Sequence, residues 1–271
     1  MRFKADISDH TSVEATKKLV MFMSKLNKRR CIIHATPDEF VLLNDSSTTR
    51  SYWVEVKLNP LEMFCDYEMS GLTPGQNEIF MDLSAADLSQ ALSGVETSIK
   101  MRLTKEGNVP HLGVRSENVT NSIPVTLLMS RHWKEFERSV PEELLLISIF
   151  MPSIKSVQRI IQSIKNIQAK HTIFAVNFKG QLEISARTDT SRFCAQIRDL
   201  GIDRTPNSRD APEEAIIRTV LDTKHLHTFV SSIPNTFSYI KLEIDSNGNA
   251  YFSTAQADSS ILIALPGHSH V

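Results

Sequence analysis

Basic side chains recur at helical spacing in two stretches of this sequence, Thr11 to Leu26 and Ser153 to Ile167. In each stretch the apolar residues fall on one side of a helix and the basic residues on the other. The basic residues in and directly after these stretches are Lys17, Lys18, Lys25, Lys28, Arg29, Arg30, Lys155, Arg159 and Lys165. Long cationic side chains can contact phosphate groups without reading a base sequence. The pattern predicts a surface that holds a polyanion.

The same spacing is also typical of the solvated outer face of an amphipathic helix. The formal net charge is only -1, so any affinity for a polyanion depends on where the cations lie rather than on their number. The sequence alone leaves both interpretations of the basic faces open. Lys224, His225 and His227, in a later short helix, are weaker candidates for the same contact.

The usual motifs of nucleotide hydrolysis, zinc proteolysis and serine-esterase chemistry are absent from the chain, which has no GxxxxGKS/T, GxGxxG, HExxH or GxSxG. Alternate histidines occur at His225-x-His227 and His268-x-His270, but neither pair has a third ligand nearby in sequence. We therefore expect no enzyme activity, no metal site and no cofactor.

Length and composition favour a globular protein of two domains, because 271 residues with 41% hydrophobic content can bury a full core. No apolar run approaches the roughly 20 residues that a membrane span needs. Cys31, Cys65 and Cys194 are far apart and odd in number, so a disulfide framework is not indicated. The expected protein is soluble and intracellular.

The elements that carry the basic faces occur in the same order in both halves of the chain. Each long helix follows a strand and precedes short strands, and each half has a later short helix, which begins after Ser84 in one half and at Thr223 in the other. A repeated order of this kind indicates duplication. We therefore predict an N-terminal domain at residues 1–129, a connector at 130–142 and a C-terminal domain at 143–271.

Several segments, taken in order, carry a family resemblance. They are MRFKADI, SYWVEV, NEIFMDL, LSQAL, SIPVTLL, RHWKEF, MPSIKSVQRIIQSIKNI, GQLEIS and RDLG. Together they resemble the Hus-one-type subunits of the nine-one-one checkpoint clamp, which are related to proliferating cell nuclear antigen. The resemblance covers nearly the whole chain and rests on the order and spacing of the segments. It is weakest at Asn44 to Arg50 and at Arg204 to Glu214.

The resemblance implies an α+β fold, the duplicated sliding-clamp (DNA clamp) fold, in which β-sheets lie outside and four helices line a central channel. It implies a non-catalytic subunit of a heterotrimer with Rad-nine-type and Rad-one-type subunits, acting in the DNA damage checkpoint and in repair. The implied partners are double-stranded DNA bound without sequence specificity, a clamp-loader ATPase and repair enzymes, with no membrane. The implied location is nuclear, and cytoplasmic before assembly. A homotrimeric replication-type clamp is the alternative.

Two protein-binding surfaces follow from the same resemblance. Clamp subunits join through exposed edge strands. The candidates are His111 to Arg115 in the first domain and either Gln181 to Ala186 or Arg192 to Ile197 in the second. The candidate interface residues are His111, Leu112, Gly113, Val114, Arg115, Gln181, Leu182, Glu183, Arg192 and Cys194. A groove for partner proteins would use Met129, Trp133, Phe136, Ile263, Leu265 and Pro266. The other reading of Trp133 and Phe136 is that they fasten the connector onto the sheets.

Overall fold

The structure is a computed structural model that describes residues 1–45, 52–71, 73, 75–117, 119–136 and 138–268. Most of the weakly matching loop Asn44 to Arg50 and residue His270 of the alternate-histidine pattern lie outside the described residues. The chain divides into two compact units. Unit 1 comprises Met1–Asn44, Glu55–Arg138 and Gln256–Ser260, and unit 2 comprises Asp45–Val54, Ser139–Ala255 and Ile261–Val271.

The first half of the chain contains three described helices, α1 (His10–Leu26), α2 (Pro60–Met63) and α3 (Ala85–Ser93). Its strands are β1 (Arg2–Ile7), β2 (Cys31–Ala35), β3 (Phe40–Asp45), β4 (Trp53–Leu58), β5 (Asp66–Ser70), β6 (Ile79–Leu83), β7 (Ile99–Glu106), β8 (Val109–Arg115), β9 (Thr120–Pro124) and β10 (Thr126–Leu127). A 3-10 helix, Ser130–Glu135, follows β10.

The second half begins with a short 3-10 helix, Glu142–Leu144, and contains α4 (Ile154–Asn166) and α5 (Thr223–Ser232). Its strands are β11 (Leu145–Phe150), β12 (His171–Asn177), β13 (Leu182–Arg187), β14 (Arg192–Ile197), β15 (Ile202–Asp203), β16 (Ile216–Asp222), β17 (Lys241–Asp245), β18 (Ala250–Ala255) and β19 (Ser259–Leu265). One more 3-10 turn, Pro206–Ser208, lies between β15 and β16.

The two halves share one strand order, which confirms the predicted duplication. In the first half, one five-stranded sheet has the order β5-β1-β7-β8-β9, and the other strands follow the order β10-β6-β2-β3-β4. In the second half the corresponding orders are β15-β11-β17-β18-β19 and β16-β12-β13-β14. Each position in the first half has its counterpart in the second, apart from the additional β10. The helices α1 and α4 occupy equivalent places in this series.

Side-chain caps start the helices where the sequence pattern places them. The Ser84 hydroxyl accepts a hydrogen bond from the Asp87 backbone N–H at 3.2 Å, so α3 begins directly after Ser84, as the sequence predicts. The carboxylate of Asp9 accepts from the Ser12 backbone N–H at 2.8 Å and begins α1. Ser153 caps α4 in the same way. These caps satisfy backbone donors that a helix cannot satisfy internally.

Each unit has its own apolar core. In unit 1, Phe3, Phe40 and Phe64 follow one another with ring centroids 5.9 and 5.4 Å apart. In unit 2, the ring of Phe252 lies 5.4 Å from Phe229 of α5 and 6.1 Å from Phe174 of β12. These contacts bury the inner faces of the sheets and leave the polar sides of the helices outside. Among helices of the described residues, none combines the length and the apolar character that crossing a membrane requires.

Candidate nucleic-acid interface

The helix α1 buries one side and presents cations on the other. Val13, Leu19 and Val20 are buried, whereas Lys18 is half-buried and Lys25 is exposed. Lys28 and Arg29 directly follow the helix and are exposed. The predicted amphipathic pattern is therefore confirmed for α1.

Two of the predicted cations in this region have partners inside the protein. Lys17 Nζ lies 2.6 Å from Glu14 Oε1 and donates to the Val95 carbonyl oxygen at 2.9 Å. Arg30 Nε donates to Asp82 Oδ2 at 2.8 Å, and its guanidinium carbon lies 5.7 Å from the centre of the Phe136 ring. Both side chains stabilise the fold locally, so they have less freedom to contact a polyanion.

The helix α4 repeats this arrangement in unit 2. Val157, Ile161 and Ile164 are buried, and Lys155 and Arg159 are exposed. The two helices of the duplicated series therefore bury equivalent apolar sides and leave cations on their other sides.

The third cation of α4 belongs to a small polar cluster with α5. Lys165 Nζ lies 3.3 Å from Nδ1 of His227, and Nε2 of that histidine lies 2.9 Å from Gln162 Oε1. Partial burial lowers the pKa of His227, and the positive charge of Lys165 lowers it further. The histidine is therefore a neutral partner for the lysine at neutral pH.

Six of the predicted cations have no acidic side chain within 4.0 Å among the residues that the structure describes: Lys18, Lys25, Lys28, Arg29, Lys155 and Arg159. Cations without an internal acidic partner can contact phosphates through charge and carry no base readout. His225 of α5 is one of the weaker candidates for polyanion contact. Its Nδ1 lies 3.5 Å from Asp222 Oδ1.

The residues predicted for a partner groove differ in accessibility. Trp133 is buried, its ring stacks 5.1 Å from that of Phe80, and its Nε1 donates to the Leu128 carbonyl oxygen at 3.0 Å. Phe136 packs partly buried against the same cluster, so both aromatic residues fasten the segment after β10 onto unit 1. Met129, by contrast, is 63% exposed.

The other half of the predicted groove lies on and after β19. Ile263 and Leu265 are buried, with exposed fractions of 0% and 3%, while Pro266 is half-buried. Of the six predicted groove residues, Met129 therefore offers the largest accessible apolar surface.

Strand pairing corrects the edge predicted for the first domain and decides between the two alternatives for the second. β8, which contains His111 to Arg115, pairs with β7 on one side and with β9 on the other, so it is an interior strand. β13, which contains Leu182 and Glu183, lies between β12 and β14. Alternating burial identifies a strand but not its neighbours, which is why the sequence pattern misplaced these edges.

On the sides of β8 and β13, these two sheets end at β9 and β14; their opposite ends are β5 and β16. The prediction that Arg192 to Ile197 is an edge strand is therefore confirmed. β9 ends at Pro124, which the sequence marks as an edge or bulge position because proline cannot donate to a ladder. Pro124 was therefore the sequence signal that β9, and not β8, is the edge strand on this side of the sheet.

The described residues contain no group of three or more His, Cys, Asp or Glu side chains placed to hold a metal ion.

The shifted pKa values of Cys31 and Tyr67 have structural causes. Burial raises the pKa of the Cys31 thiol to about 12, and the Asp82 charge adds to the shift. Burial also raises the pKa of Tyr67, whose hydroxyl donates to the Thr36 carbonyl oxygen at 2.8 Å.

The architecture is the sliding-clamp fold. The chain superposes on proliferating cellular nuclear antigen from Entamoeba histolytica with a TM-score of 0.74 at 12% identity, covering 98% of this chain and 99% of that one. It superposes on PCNA from A. fulgidus, solved with the C-terminal region of FEN-1 bound, with a TM-score of 0.73 at 14% identity and 99% coverage of both chains.

Sequence comparison narrows the class to a family. The family described as Hus1-like protein matches residues 1–266, and the chain belongs to it. A curated relative is the human checkpoint protein HUS1, which is 24% identical over 288 aligned positions that cover 99% of this chain and 100% of the human protein. The resemblance predicted from the sequence segments is confirmed.

Proposed function

We propose that this protein is a non-catalytic subunit of a heterotrimeric, ring-shaped clamp that encircles DNA and recruits checkpoint and repair proteins at DNA damage. The observation that carries the proposal is the pair of equivalent helices, α1 and α4, each with a buried apolar side and unpaired cations on the other. Membership in the Hus1-like family and the clamp fold support the same function.

DNA contact in this proposal is electrostatic and independent of sequence. Lys18, Lys25, Lys28, Arg29, Lys155 and Arg159 supply most of it, because they have no internal acidic partner among the described residues. Lys17, Arg30 and Lys165 contribute less, since each is held by a neighbouring group. A clamp that slides needs such contacts, which hold phosphates without fixing a register.

Ring assembly uses the terminal strands β9 and β14, whose outer backbone groups can pair with a strand of another subunit. Arg192 and Cys194 therefore remain interface candidates. The residues of β8, namely His111, Leu112, Gly113, Val114 and Arg115, and Gln181, Leu182 and Glu183 would support the interface from behind these edges. The partners are Rad-nine-type and Rad-one-type subunits, and a separate clamp-loader ATPase places the ring on DNA.

Recruitment of repair enzymes uses the exposed Met129 and the partly accessible Phe136 of unit 1, and Pro266 of unit 2 is a separate, partly accessible candidate. The archaeal clamp solved with the C-terminal region of FEN-1 supports a partner-binding role for this fold. Trp133, Ile263 and Leu265 are buried, so they would not touch a partner directly. The location is nuclear, and cytoplasmic before assembly.

Native mass of the purified chain tests the assembly. We expect a monomer alone, and a one-to-one-to-one complex after mixing with both the Rad-nine-type and the Rad-one-type subunits. Mixing with each subunit singly is the control for non-specific association. A stable homotrimer of the chain alone would instead support the replication-type clamp. A chain that stays monomeric with both partners present would contradict the proposed ring.

A further inference from the structure

The sheet β16-β12-β13-β14 of unit 2 has one face that the DNA proposal does not use. Alternation along its strands sends Phe174, Leu182 and Ile184 to the buried face, and α4 packs against β13 and β14. The opposite face carries Ile173, Ala175, Ser185 and Cys194, whose side chains are short or apolar. The middle of this outer face therefore forms a depression, in which a segment of another chain can lie.

Two contiguous depressions lie on this outer face. One, of about 400 Å³, is lined by residues that include Ala175, Glu183 and Arg218. The other, of about 560 Å³, lies at the β13–β14 hairpin and is lined by residues that include Arg187 and Arg192. Both are lined by Ile173 and Ser185, so they form one trough that runs from the body of the sheet to the hairpin.

The hairpin end of the trough holds two arginines directly opposite each other. Arg187 of β13 and Arg192 of β14 are partners in the strand register, and both are exposed. No acidic side chain lies within 4.0 Å of either one among the described residues. Like charges facing each other across two strands destabilise the pairing. An anion placed between the two guanidinium groups would remove that repulsion.

The turn between the arginines is held in one conformation by its own hydrogen bonds. The Thr188 backbone N–H donates to the Ser191 carbonyl oxygen at 2.8 Å, and the Ser191 N–H donates to Thr188 Oγ1 at 3.0 Å. Asp189 lies exposed at the tip. A fixed turn holds the backbone positions of the two arginines, so only their side chains have to become ordered on binding.

The acidic residues of the trough have other surroundings. Glu183 lies beside Cys194, and burial raises the pKa of that thiol with an added contribution from the Glu183 charge. Asp189 also lines the hairpin end, but among the described residues its carboxylate makes no ion pair within 4.0 Å with Arg187 or Arg192. The positive end of the trough is therefore not neutralised by its own sheet.

We infer that this trough, with Arg187 and Arg192 at its hairpin end, binds an extended acidic segment of a partner protein. Guanidinium groups bind carboxylates in a planar, two-pronged geometry, and the apolar floor at Ile173 and Ala175 suits an extended chain. A protein segment is favoured over DNA because the arginines project from the face opposite the one against which α4 packs. The inference goes beyond the proposed function, since it needs neither DNA nor a closed ring.

Binding of a short fluorescein-labelled peptide with glutamates on both sides of a valine pair tests this inference on the full chain. The control peptide carries glutamine in place of glutamate. We expect the chain to bind the glutamate peptide roughly tenfold more tightly than the glutamine peptide, from the added strength of charge-assisted hydrogen bonds. Arg187→Gln/Arg192→Gln should abolish this preference, and Arg187→Lys/Arg192→Lys should retain part of it.

A variant with the same loss of charge on α4, Lys155→Gln/Arg159→Gln, is the matched control and should keep the full preference. Equal affinity for the two peptides, or a preference that survives Arg187→Gln/Arg192→Gln, would overturn the inference. So would displacement of the peptide by duplex DNA, which would assign the hairpin to phosphate binding. Circular dichroism of each variant checks that the fold is intact. If the peptide test contradicts the inference, the proposed ring assembly is not affected, because the native mass experiment tests ring assembly separately.

Discussion

Asp245 shows how much one buried carboxylate can contribute to the fold of unit 2. It is 1% exposed. Its Oδ1 accepts from the backbone N–H groups of Asn247 and Asn249 at 2.9 and 2.8 Å. Its Oδ2 accepts from Asn249 Nδ2 at 2.9 Å and from the Tyr251 hydroxyl at 3.1 Å. These four bonds hold the turn between β17 and β18.

Replacing Asp245 with alanine should lower the free energy of unfolding by about 3 kcal/mol, because several buried donors then lose their acceptor. Tyr251→Phe removes only one of the four bonds and should cost about 1 kcal/mol. Both substitutions are made in the Trp133→Phe background. Urea unfolding is then followed by the fluorescence of Trp53, which packs in the same apolar cluster as Tyr251. Equal effects of the two substitutions would show that the turn does not depend on this carboxylate.

At the scale of elements, the basic faces of α1 and α4 should act through charge alone. In the assembled complex, Lys155→Ala/Arg159→Ala should weaken binding to a duplex of any sequence and reduce the salt dependence of the affinity. The slope of log affinity against log salt should fall by about 0.9 for each phosphate contact that is lost. Fluorescence anisotropy across a salt series measures this slope.

The matched control for that prediction is Lys100→Ala/Lys105→Ala, which removes two exposed cations from β7. We expect the control to leave the salt slope close to that of the unaltered complex. If both pairs change the slope equally, the helix faces are ordinary solvated surfaces, which is the other interpretation that the sequence leaves open.

Most elements were predictable from local pattern. The strand Arg192–Ile197 and the helix Thr223–Ser232 have the bounds that the sequence predicts, because apolar spacing and caps are local signals. The identity of strand neighbours is not local, so β8 was mistaken for an edge. The one-turn helix α2 and the short strands β10 and β15 are too short to show a period.

The loop Gly201 to Glu214 shows why order can escape a sequence pattern. One guanidinium organises it: Arg204 Nη1 donates to the carbonyl oxygens of Arg209 and Ala211 at 3.1 and 3.0 Å, and Arg204 lies 5.0 Å from the Phe178 ring centre. Contacts from a side chain to distant backbone carbonyls leave no periodicity in the sequence. The sequence pattern therefore indicates only a polar connection here.

At the scale of the whole molecule, acid should affect the two units differently. In unit 2, burial lowers the pKa values of both His171 and His227, and nearby positive groups add to each shift. In the unfolded chain the two histidines take up a proton near pH 6.5, whereas in the folded chain they do so only at a lower pH. Stability of unit 2 that depends on the neutral histidines is therefore present above about pH 6.5 and is lost as the pH falls below it.

The acid response of unit 1 should begin at a lower pH. The Arg102 guanidinium, which pairs with Asp6, holds the pKa of that carboxyl below its usual range. The folded carboxyl therefore stays charged while the unfolded one takes up a proton. Stability from this ion pair is present above about pH 4, the ordinary pKa of an aspartate, and is lost below it.

The two tryptophans can separate these responses, because Trp53 belongs to unit 2 and Trp133 to unit 1. In Trp133→Phe, the remaining Trp53 reports unit 2, and its urea midpoint should fall between pH 7.5 and 5.5. In Trp53→Phe, Trp133 reports unit 1, and its midpoint should change less over that range. Adding His171→Asn/His227→Gln to the first variant should flatten its pH dependence, since the titrating groups are gone. A drop of equal size from both tryptophans, unaffected by the histidine substitutions, would mean that other groups control the response to acid.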